Sequence, residues 1–176
     1  SPCDSIEARK ATIAAAKTNT PVYIRLAREK TPIMTTDETP FEIGKGQIFS
    51  EGKDPKVGVF ATGALVHKAL TAVKELESEG ISAIVVNIAT IKPLDEKLII
   101  EVAKKCGRVV TVEEHQMHGG LGSAVAECLS QNYPVPQEFV AVRDVFGQSG
   151  APEELLEHYG LGVSHIKSAI QKVLKR

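Results

Sequence analysis

The amino-acid sequence predicts an α/β fold, a three-layer α/β/α arrangement around a mostly parallel five-stranded sheet in which one edge strand can be antiparallel. Two patterns predict this fold. Short apolar runs recur along residues 46–176, and most are followed by a stretch whose apolar residues repeat with helical period. Strands that alternate with helices of about 10 to 15 residues are typical of βαβ units, which build parallel sheets with helices on both faces. We expect a helix–strand remnant of another α/β domain before this fold.

Residues 1–45 predict a helix, a strand and a linker. Asp4 or its neighbour can cap a helix that runs to Thr18. Val22–Leu26 is a short β-rich run, and Ala27–Lys45 is polar and turn-rich with no sustained period. A lone helix and strand cannot cover their own apolar surface. We therefore expect these residues to complete a domain that this chain does not contain.

From Gly46 onward, the pattern of expected strands and helices is regular. Glycines that follow the last periodic residue, such as Gly80 and Gly107, mark helix ends. The expected strands are Gln47–Ser50 at an edge, Val57–Ala61, Ala83–Ile88, Arg108–Val112 and Glu138–Val142. The expected helices are one capped by Thr62 and running to Glu79, then Asp95–Lys105, Leu121–Gln131, a short helix from Pro152 to Gly160, and a last one over Val163–Leu174.

Composition excludes several classes of function. The 21 basic and 22 acidic residues give a net charge of -1, which offers no electrostatic attraction to nucleic acid or to an anionic membrane. No apolar run approaches the roughly 18 residues of a membrane-spanning helix, and no signal-peptide pattern is present. The 3 cysteines are odd in number and far apart, so they form neither a disulfide framework nor a metal knuckle. We expect a cytoplasmic protein.

A glycine-rich turn, Gly119–Ser123, lies between an expected strand and an expected helix, where such loops can cradle phosphate. The dinucleotide fingerprint G-x-G-x-x-G fails because Val125 occupies its last position. We favour the interpretation that the glycines let the helix begin close to the strands.

Two acids and two imidazoles, those of Glu113, Glu114, His115 and His118, lie at the carboxyl end of an expected parallel strand. This is the edge where ligands collect in open α/β sheets. The residue types also suit Zn or Mn, but no third convergent ligand is identifiable. We favour a hydrogen-bonded polar cluster at a subunit contact.

Two further groups leave alternatives open. Arg25 and Arg28 stand where the first expected strand ends, where a guanidinium suits bidentate binding of phosphate or carboxylate. The alternative is an exposed ion pair with Glu29. Asp4 is either a helix cap or an acceptor for a hydroxylated ligand.

Five motifs, taken in order, resemble the C-terminal portion of a transketolase, and the resemblance covers essentially the whole chain. They are Pro2–Asp4 with Glu7, Val22–Arg28, Thr90–Asp95, Val112–His115 and Gly119–Gly122. The resemblance implies that residues 1–45 are the tail of a thiamine-diphosphate pyrimidine-binding domain plus a linker. It also implies that residues 46–176 are the transketolase C-terminal domain.

The resemblance assigns two substrate contacts. Asp4 would bind the ketose donor near its C2 hydroxyl, and Arg28 would grip the sugar phosphate. The family transfers a two-carbon ketol unit between sugar phosphates of the pentose phosphate pathway, with thiamine diphosphate and a divalent metal, Mg or Ca, in the intact enzyme. The family's cofactor and metal ligands lie upstream of these motifs. We therefore expect the chain alone to bind no cofactor or metal and to be inactive. Its partners would be the missing N-terminal portion or subunit of transketolase and a second copy, forming a homodimer.

Three alternatives remain. The chain could be the C-terminal part of 1-deoxyxylulose-5-phosphate synthase or of a 2-oxoacid dehydrogenase beta chain. It could also be a non-catalytic dimerisation or interaction module. Transketolase is favoured because Ala27–Pro32 and Glu113–His115 resemble its versions more closely.

Overall fold

The computed structural model describes residues 1–176 and shows the α/β/α fold that the sequence predicts. The strands are β1 (Gln47–Glu51), β2 (Val57–Ala61), β3 (Ala83–Asn87), β4 (Val109–Gln116) and β5 (Gln137–Val142). The helices are α1 (Ser5–Ala15), α2 (Leu65–Glu77), α3 (Glu96–Cys106), α4 (Leu121–Asn132), α5 (Pro152–His158) and α6 (Val163–Val173).

The strands form one five-stranded sheet in the order β1-β3-β2-β4-β5. All neighbouring pairs are parallel except β1 and β3, which are antiparallel, so the expected antiparallel edge strand is confirmed. Every residue of β2 and β3 is buried, as expected for central strands whose two faces are both covered by helices.

The helices cover the two faces of the sheet in pairs. One core joins α2 and α6 to the face that carries Val59, Val85 and Val110. The other core joins α3 and α4 to the face that carries Phe60 and Val86. The three central strands, β2, β3 and β4, supply residues to both cores, because successive strand side chains point to opposite faces. The three cysteines are free and buried.

The helix ends follow local chemistry, with one correction. Asp95 caps α3, its carboxylate accepting a hydrogen bond from Leu98 N at 3.3 Å, and Gly107 ends it with a left-handed backbone (φ 70°). The expectation that Thr62 caps α2 is wrong. The helix begins at Leu65 with no side-chain cap, and the Thr62 hydroxyl donates to the Ser1 carbonyl at 3.3 Å.

The strand expected at Val22–Leu26 is also wrong in this structure. Residues 21–33 are not assigned to any strand and form no backbone–backbone hydrogen bond. Tyr23 is 87% exposed and Leu26 is 59% exposed. The β-rich residues cannot form a ladder because no other strand of the chain lies beside them.

The first helix is attached to the sheet by polar contacts. The buried Glu7 carboxylate accepts hydrogen bonds from the Asn87 amide at 2.7 Å and from Cys3 N at 2.6 Å. Glu7 is the only buried residue of α1, and Ile13 on the same helix is 48% exposed. This helix therefore contributes little apolar surface to either core.

No helix of this structure combines the length and the apolar character that crossing a bilayer requires.

Candidate functional site

The chain reverses its direction of travel through the sheet between β2 and β4. The helix after β2 leads to β3 on one side, whereas the helix after β4 leads to β5 on the other. These two helices pack on opposite faces of the sheet. A crevice opens outside the carboxyl ends of two such strands, and ligands of open α/β sheets bind there.

Two adjoining cavities occupy this crevice. The larger has a volume of about 790 Å³ and the smaller about 130 Å³. Arg28, Ala64 and Glu114 line both of them, so the cavities share a wall. The floor of the larger cavity includes the buried Leu65 and Leu161.

Both arginines that the sequence singles out lie in this crevice, but their surroundings differ. Arg25 donates from Nη1 to the Glu114 carbonyl at 2.9 Å and from Nη2 to Ser1 Oγ at 3.3 Å. Arg28 is exposed and forms neither an ion pair nor a hydrogen bond, so the expected alternative of a pair with Glu29 is not observed. Its guanidinium is therefore free to bind an anion.

The first turn of α2 adds positive electrostatic potential to the same crevice. Gly63 and Ala64 line the smaller cavity, and Ala64 is the N-cap residue, with no side chain accepting from the first amides of the helix. Unpaired amide groups and the helix dipole favour negative charge at such an end.

The outer wall of the larger cavity comes from residues that the sequence does not single out. It consists of α2, the loop after β5 and the short helix α5, which contribute His67, Lys68, Gln148, Glu153 and Tyr159. Two contacts brace this wall. Lys68 pairs with Glu153 at 2.6 Å, and the Tyr159 hydroxyl donates to the Phe146 carbonyl at 3.2 Å. One sequence signal could have pointed to these residues: a turn-rich loop follows an expected parallel strand at its carboxyl end.

Asp4 acts as a helix cap and as an anchor for a loop. Oδ1 accepts from Glu7 N and from Thr35 Oγ1, both at 2.8 Å, while Oδ2 accepts from Met34 N and Thr35 N, both at 2.7 Å. Burial by itself would raise the pKa of Asp4, but these hydrogen bonds outweigh burial and hold the pKa below its usual value. Of the two alternatives left open by the sequence, the structure shows the cap, and the chain itself fills the acceptor positions of this carboxylate.

Glu113 explains the glycine-rich turn. Its carboxylate is buried at the N-terminus of α4, where Oε2 accepts from Leu121 N and Oε1 from Gly122 N, both at 2.8 Å. A Cβ on Gly120 would lie 2.2 Å from Glu113 Oε2, and one on Gly122 would lie 2.4 Å from a ring carbon of Phe139. The favoured interpretation, close approach of helix and strand, is confirmed, because the chain's own carboxylate fills the anion position.

The other two members of the expected polar cluster face the larger cavity. Glu114 and His115 are both exposed and line its wall, and His115 Nδ1 lies 3.9 Å from Glu113 Oε2. The structure contains no group of three or more His, Cys, Asp or Glu side chains placed to hold a metal ion. The cluster therefore divides into one buried cap and two wall residues.

Comparison with known proteins shows the family of this chain. Residues 44–166 match the family model described as "Transketolase, C-terminal domain". A 6-deoxy-6-sulfo-D-fructose transketolase subunit from Clostridium sp. (strain MSTE9) is 42% identical over 99% of this chain and 54% of its own. A putative transketolase C-terminal section from Methanocaldococcus jannaschii is 40% identical over 99% of this chain and 55% of its own.

A solved structure described as a split gene transketolase, inactive beta4 tetramer, superposes with a TM-score of 0.94 at 48% identity. The match covers 99% of this chain and 56% of the chain in that structure. The chain thus spans about half the length of the two curated relatives named above.

The Phe139 ring makes position 122 intolerant of a methyl group. We expect Gly122→Ala to lower the free energy of unfolding by about 1–3 kcal/mol, because the new Cβ would clash with Phe139. This loss runs against the better helix propensity of alanine. Urea denaturation measures it. Ser130→Ala on the exposed side of the same helix is the control and should change the stability by no more than about 0.5 kcal/mol. Equal stabilities for the two variants would contradict the clash.

The hydrogen bonds to Asp4 make its contribution to stability depend on pH. We expect Asp4→Asn to lower the free energy of unfolding by about 1–3 kcal/mol near neutral pH, since the amide group would face backbone donors. The pKa of Asp4 is lowered in the folded state. Its stabilisation is therefore complete above the unfolded pKa of about 4 and is lost as the pH falls through the folded pKa. The gap between wild type and Asp4→Asn should narrow in urea denaturation at decreasing pH.

The exposed Asp54→Asn variant provides the control for this titration, because Asp54 is 79% exposed and pairs only with Lys56. The free energy of unfolding of Asp54→Asn should differ little from that of wild type at every pH. If the difference in free energy of unfolding between wild type and Asp4→Asn stays constant as the pH falls into the acid range, the carboxylate charge does not stabilise this loop.

Proposed function

The chain belongs to the transketolase C-terminal domain family, and from this premise we propose that it is the C-terminal part of a split transketolase. In this proposal the chain supplies one wall of a substrate site and an assembly surface. A second polypeptide supplies the reactive cofactor. The enzyme transfers a two-carbon ketol unit from a ketose phosphate to an aldose phosphate.

The observation that carries the proposal is the free guanidinium of Arg28 at the switch-point crevice. It lies beside the uncapped first turn of α2 and has no acidic partner within the chain. A dianionic phosphate would gain charge-assisted hydrogen bonds from the guanidinium. Binding energy gained at this remote group would orient the reacting carbonyl of the sugar.

The first 45 residues support a second polypeptide. Their extended segment has apolar side chains in water and no backbone partner, and α1 buries no apolar residue. Both features would be satisfied if a neighbouring strand and apolar surface were added. We propose that residues 1–45 belong to the pyrimidine-binding domain, with the linker, and that residues 46–176 form the C-terminal domain.

The cofactor of this proposal is thiamine diphosphate with a divalent metal, which supplies a carbanion that attacks the ketose carbonyl. The residues of this chain do not fit that group. They include no cluster of acidic or histidine side chains that could hold the metal. We therefore assign the cofactor to the second polypeptide, and this chain's residues bind and orient the sugar.

The terminal anion of the sugar is the part of the substrate that this chain recognises in our proposal. The name of the Clostridium relative describes a sugar that carries a sulfonate on its terminal carbon. A guanidinium pairs with either anion, so we propose a phosphate and regard the sulfonate as the competing substrate.

Self-association without catalysis is the second candidate function. It is favoured by the relative described as an inactive beta4 tetramer, a name that concerns that protein alone. The two candidates make different predictions, because only a catalytic part gains activity when the missing polypeptide is added.

We expect the chain alone to transfer no ketol unit from xylulose 5-phosphate to ribose 5-phosphate, even with thiamine diphosphate and Mg²⁺ present. The same mixture should become active when the polypeptide that supplies the other half of the relatives is added. A coupled assay for the released triose phosphate measures both rates. Turnover by the chain alone, or none by the reconstituted pair, would contradict the proposal.

In the reconstituted enzyme, we expect Arg28→Met to raise the KM for ribose 5-phosphate by about 10- to 100-fold, the loss of one or two charge-assisted hydrogen bonds. The KM for unphosphorylated ribose should not change, because it carries no anion. Arg108→Met is the matched control, since Arg108 precedes β4 and so lies at the opposite edge of the sheet. An equal effect on both sugars would rule out Arg28 as the phosphate ligand. Steady-state assays with 6-deoxy-6-sulfofructose as the donor would identify the competing substrate.

A further inference from the structure

We propose that Arg25 is a positioning residue that holds the Arg28 guanidinium at the switch-point crevice. This inference rests on the proposed function, since it concerns how the same anion-binding group is presented. The two arginines are 3 residues apart on the extended segment.

The segment that carries Arg28 has no regular structure to fix it. Residues 21–33 form no backbone–backbone hydrogen bond, and Tyr23 and Leu26 lie largely in solvent. A guanidinium on an unrestrained segment would lose conformational entropy each time it bound an anion. Contacts from side chains must therefore fix the segment if it is to present Arg28 in one place.

Arg25 makes such a contact on the N-terminal side of Arg28. Its guanidinium donates to the Glu114 carbonyl at 2.9 Å and to Ser1 Oγ at 3.3 Å. Glu114 belongs to β4 and lies between Val112, which pairs with both neighbouring strands, and Gln116, which pairs with β5. The acceptor is therefore part of a strand that the sheet holds on both sides of it along the chain. The planar fork of an arginine can reach two acceptors in a fixed geometry, which a lysine ammonium cannot.

Asp4 makes the matching contact on the C-terminal side. Its carboxylate accepts from the backbone amides of Met34 and Thr35, both at 2.7 Å. The segment between Arg25 and Met34 is thus fixed at one end by a hydrogen bond to β4 and at the other end by hydrogen bonds to the N-cap residue of α1. Arg28 lies between the two anchors, and fixing both ends preorganises the guanidinium for its ligand.

Direct binding of the anion by Arg25 is the competing interpretation, because both arginines line the smaller cavity. The hydrogen bonds distinguish the two side chains. Two nitrogens of Arg25 are engaged with acceptors of the chain itself, whereas Arg28 has no partner. The geometry therefore favours an indirect role for Arg25, which acts through Arg28.

A double-mutant cycle in the reconstituted enzyme tests this role. The measured quantity is the KM for ribose 5-phosphate divided by the KM for ribose, in wild type, Arg25→Met, Arg28→Met and the double variant. We expect Arg25→Met to raise the ratio about 10-fold with kcat for ribose unchanged, and to add nothing in the Arg28→Met background. Arg25→Lys should behave like Arg25→Met, because an ammonium keeps the charge but not the two-acceptor fork.

The remaining outcomes overturn the proposal or the function beneath it. Additive effects of the two substitutions would show that Arg25 binds the anion itself. A wild-type ratio for Arg25→Lys would show that charge, not geometry, is what this residue supplies. If Arg28→Met leaves the ratio unchanged, the proposed anion site fails, and the positioning role fails with it. Arg108→Met and Arg108→Lys, at the opposite edge of the sheet, should leave the ratio at the wild-type value.

Discussion

Buried carboxylates bound by the chain's own hydrogen-bond donors hold the carboxyl edge of the sheet together. A buried carboxylate without donors would be strongly destabilising, so each of these groups fixes the elements that supply its donors. Asp4 joins the start of α1 to Met34 and Thr35, and Glu7 joins the same helix to Asn87 at the end of β3. Glu113 joins the end of β4 to the first turn of α4.

This use of the acidic residues leaves an uneven distribution of free charge at the crevice. The carboxylates of Asp4, Glu7 and Glu113 at this edge are occupied inside the chain, whereas Glu114 is exposed on the cavity wall. The guanidinium of Arg28 has no partner, and the first turn of α2 has no side-chain cap. These two groups suit the crevice to an anion, as the proposed substrate site requires.

The two parts of the chain differ in how completely they are packed. The sheet of residues 46–176 is covered on both faces by helices and has its own two cores. The helix α1, by contrast, is attached by hydrogen bonds and buries no apolar residue, and the extended segment after it has no strand partner. Polar attachment places Arg25 and Arg28 at the crevice but leaves their segment open to further contacts. This combination is consistent with the proposed substrate site, which would be assembled from two polypeptides.

The sequence by itself determined the strands, the helices and the mostly parallel sheet, because periodicity and helix-end glycines are local properties of the chain. It allowed an antiparallel edge strand, and the structure shows one. It also determined that the Glu113–His115 cluster would lie at a ligand-binding edge, since that follows from the order of strands and helices. It did not place Arg28 there, because the strand expected before Arg28 does not form. Only the tertiary structure decided which of these groups is free. Asp4 accepts hydrogen bonds from amides about 30 residues away along the chain, and Glu113 accepts them from the next helix. The spacing of residues in the sequence does not predict that these donors and acceptors meet. The same long-range placement decided that Val22–Leu26 has no strand partner and that Arg25 faces the Glu114 carbonyl.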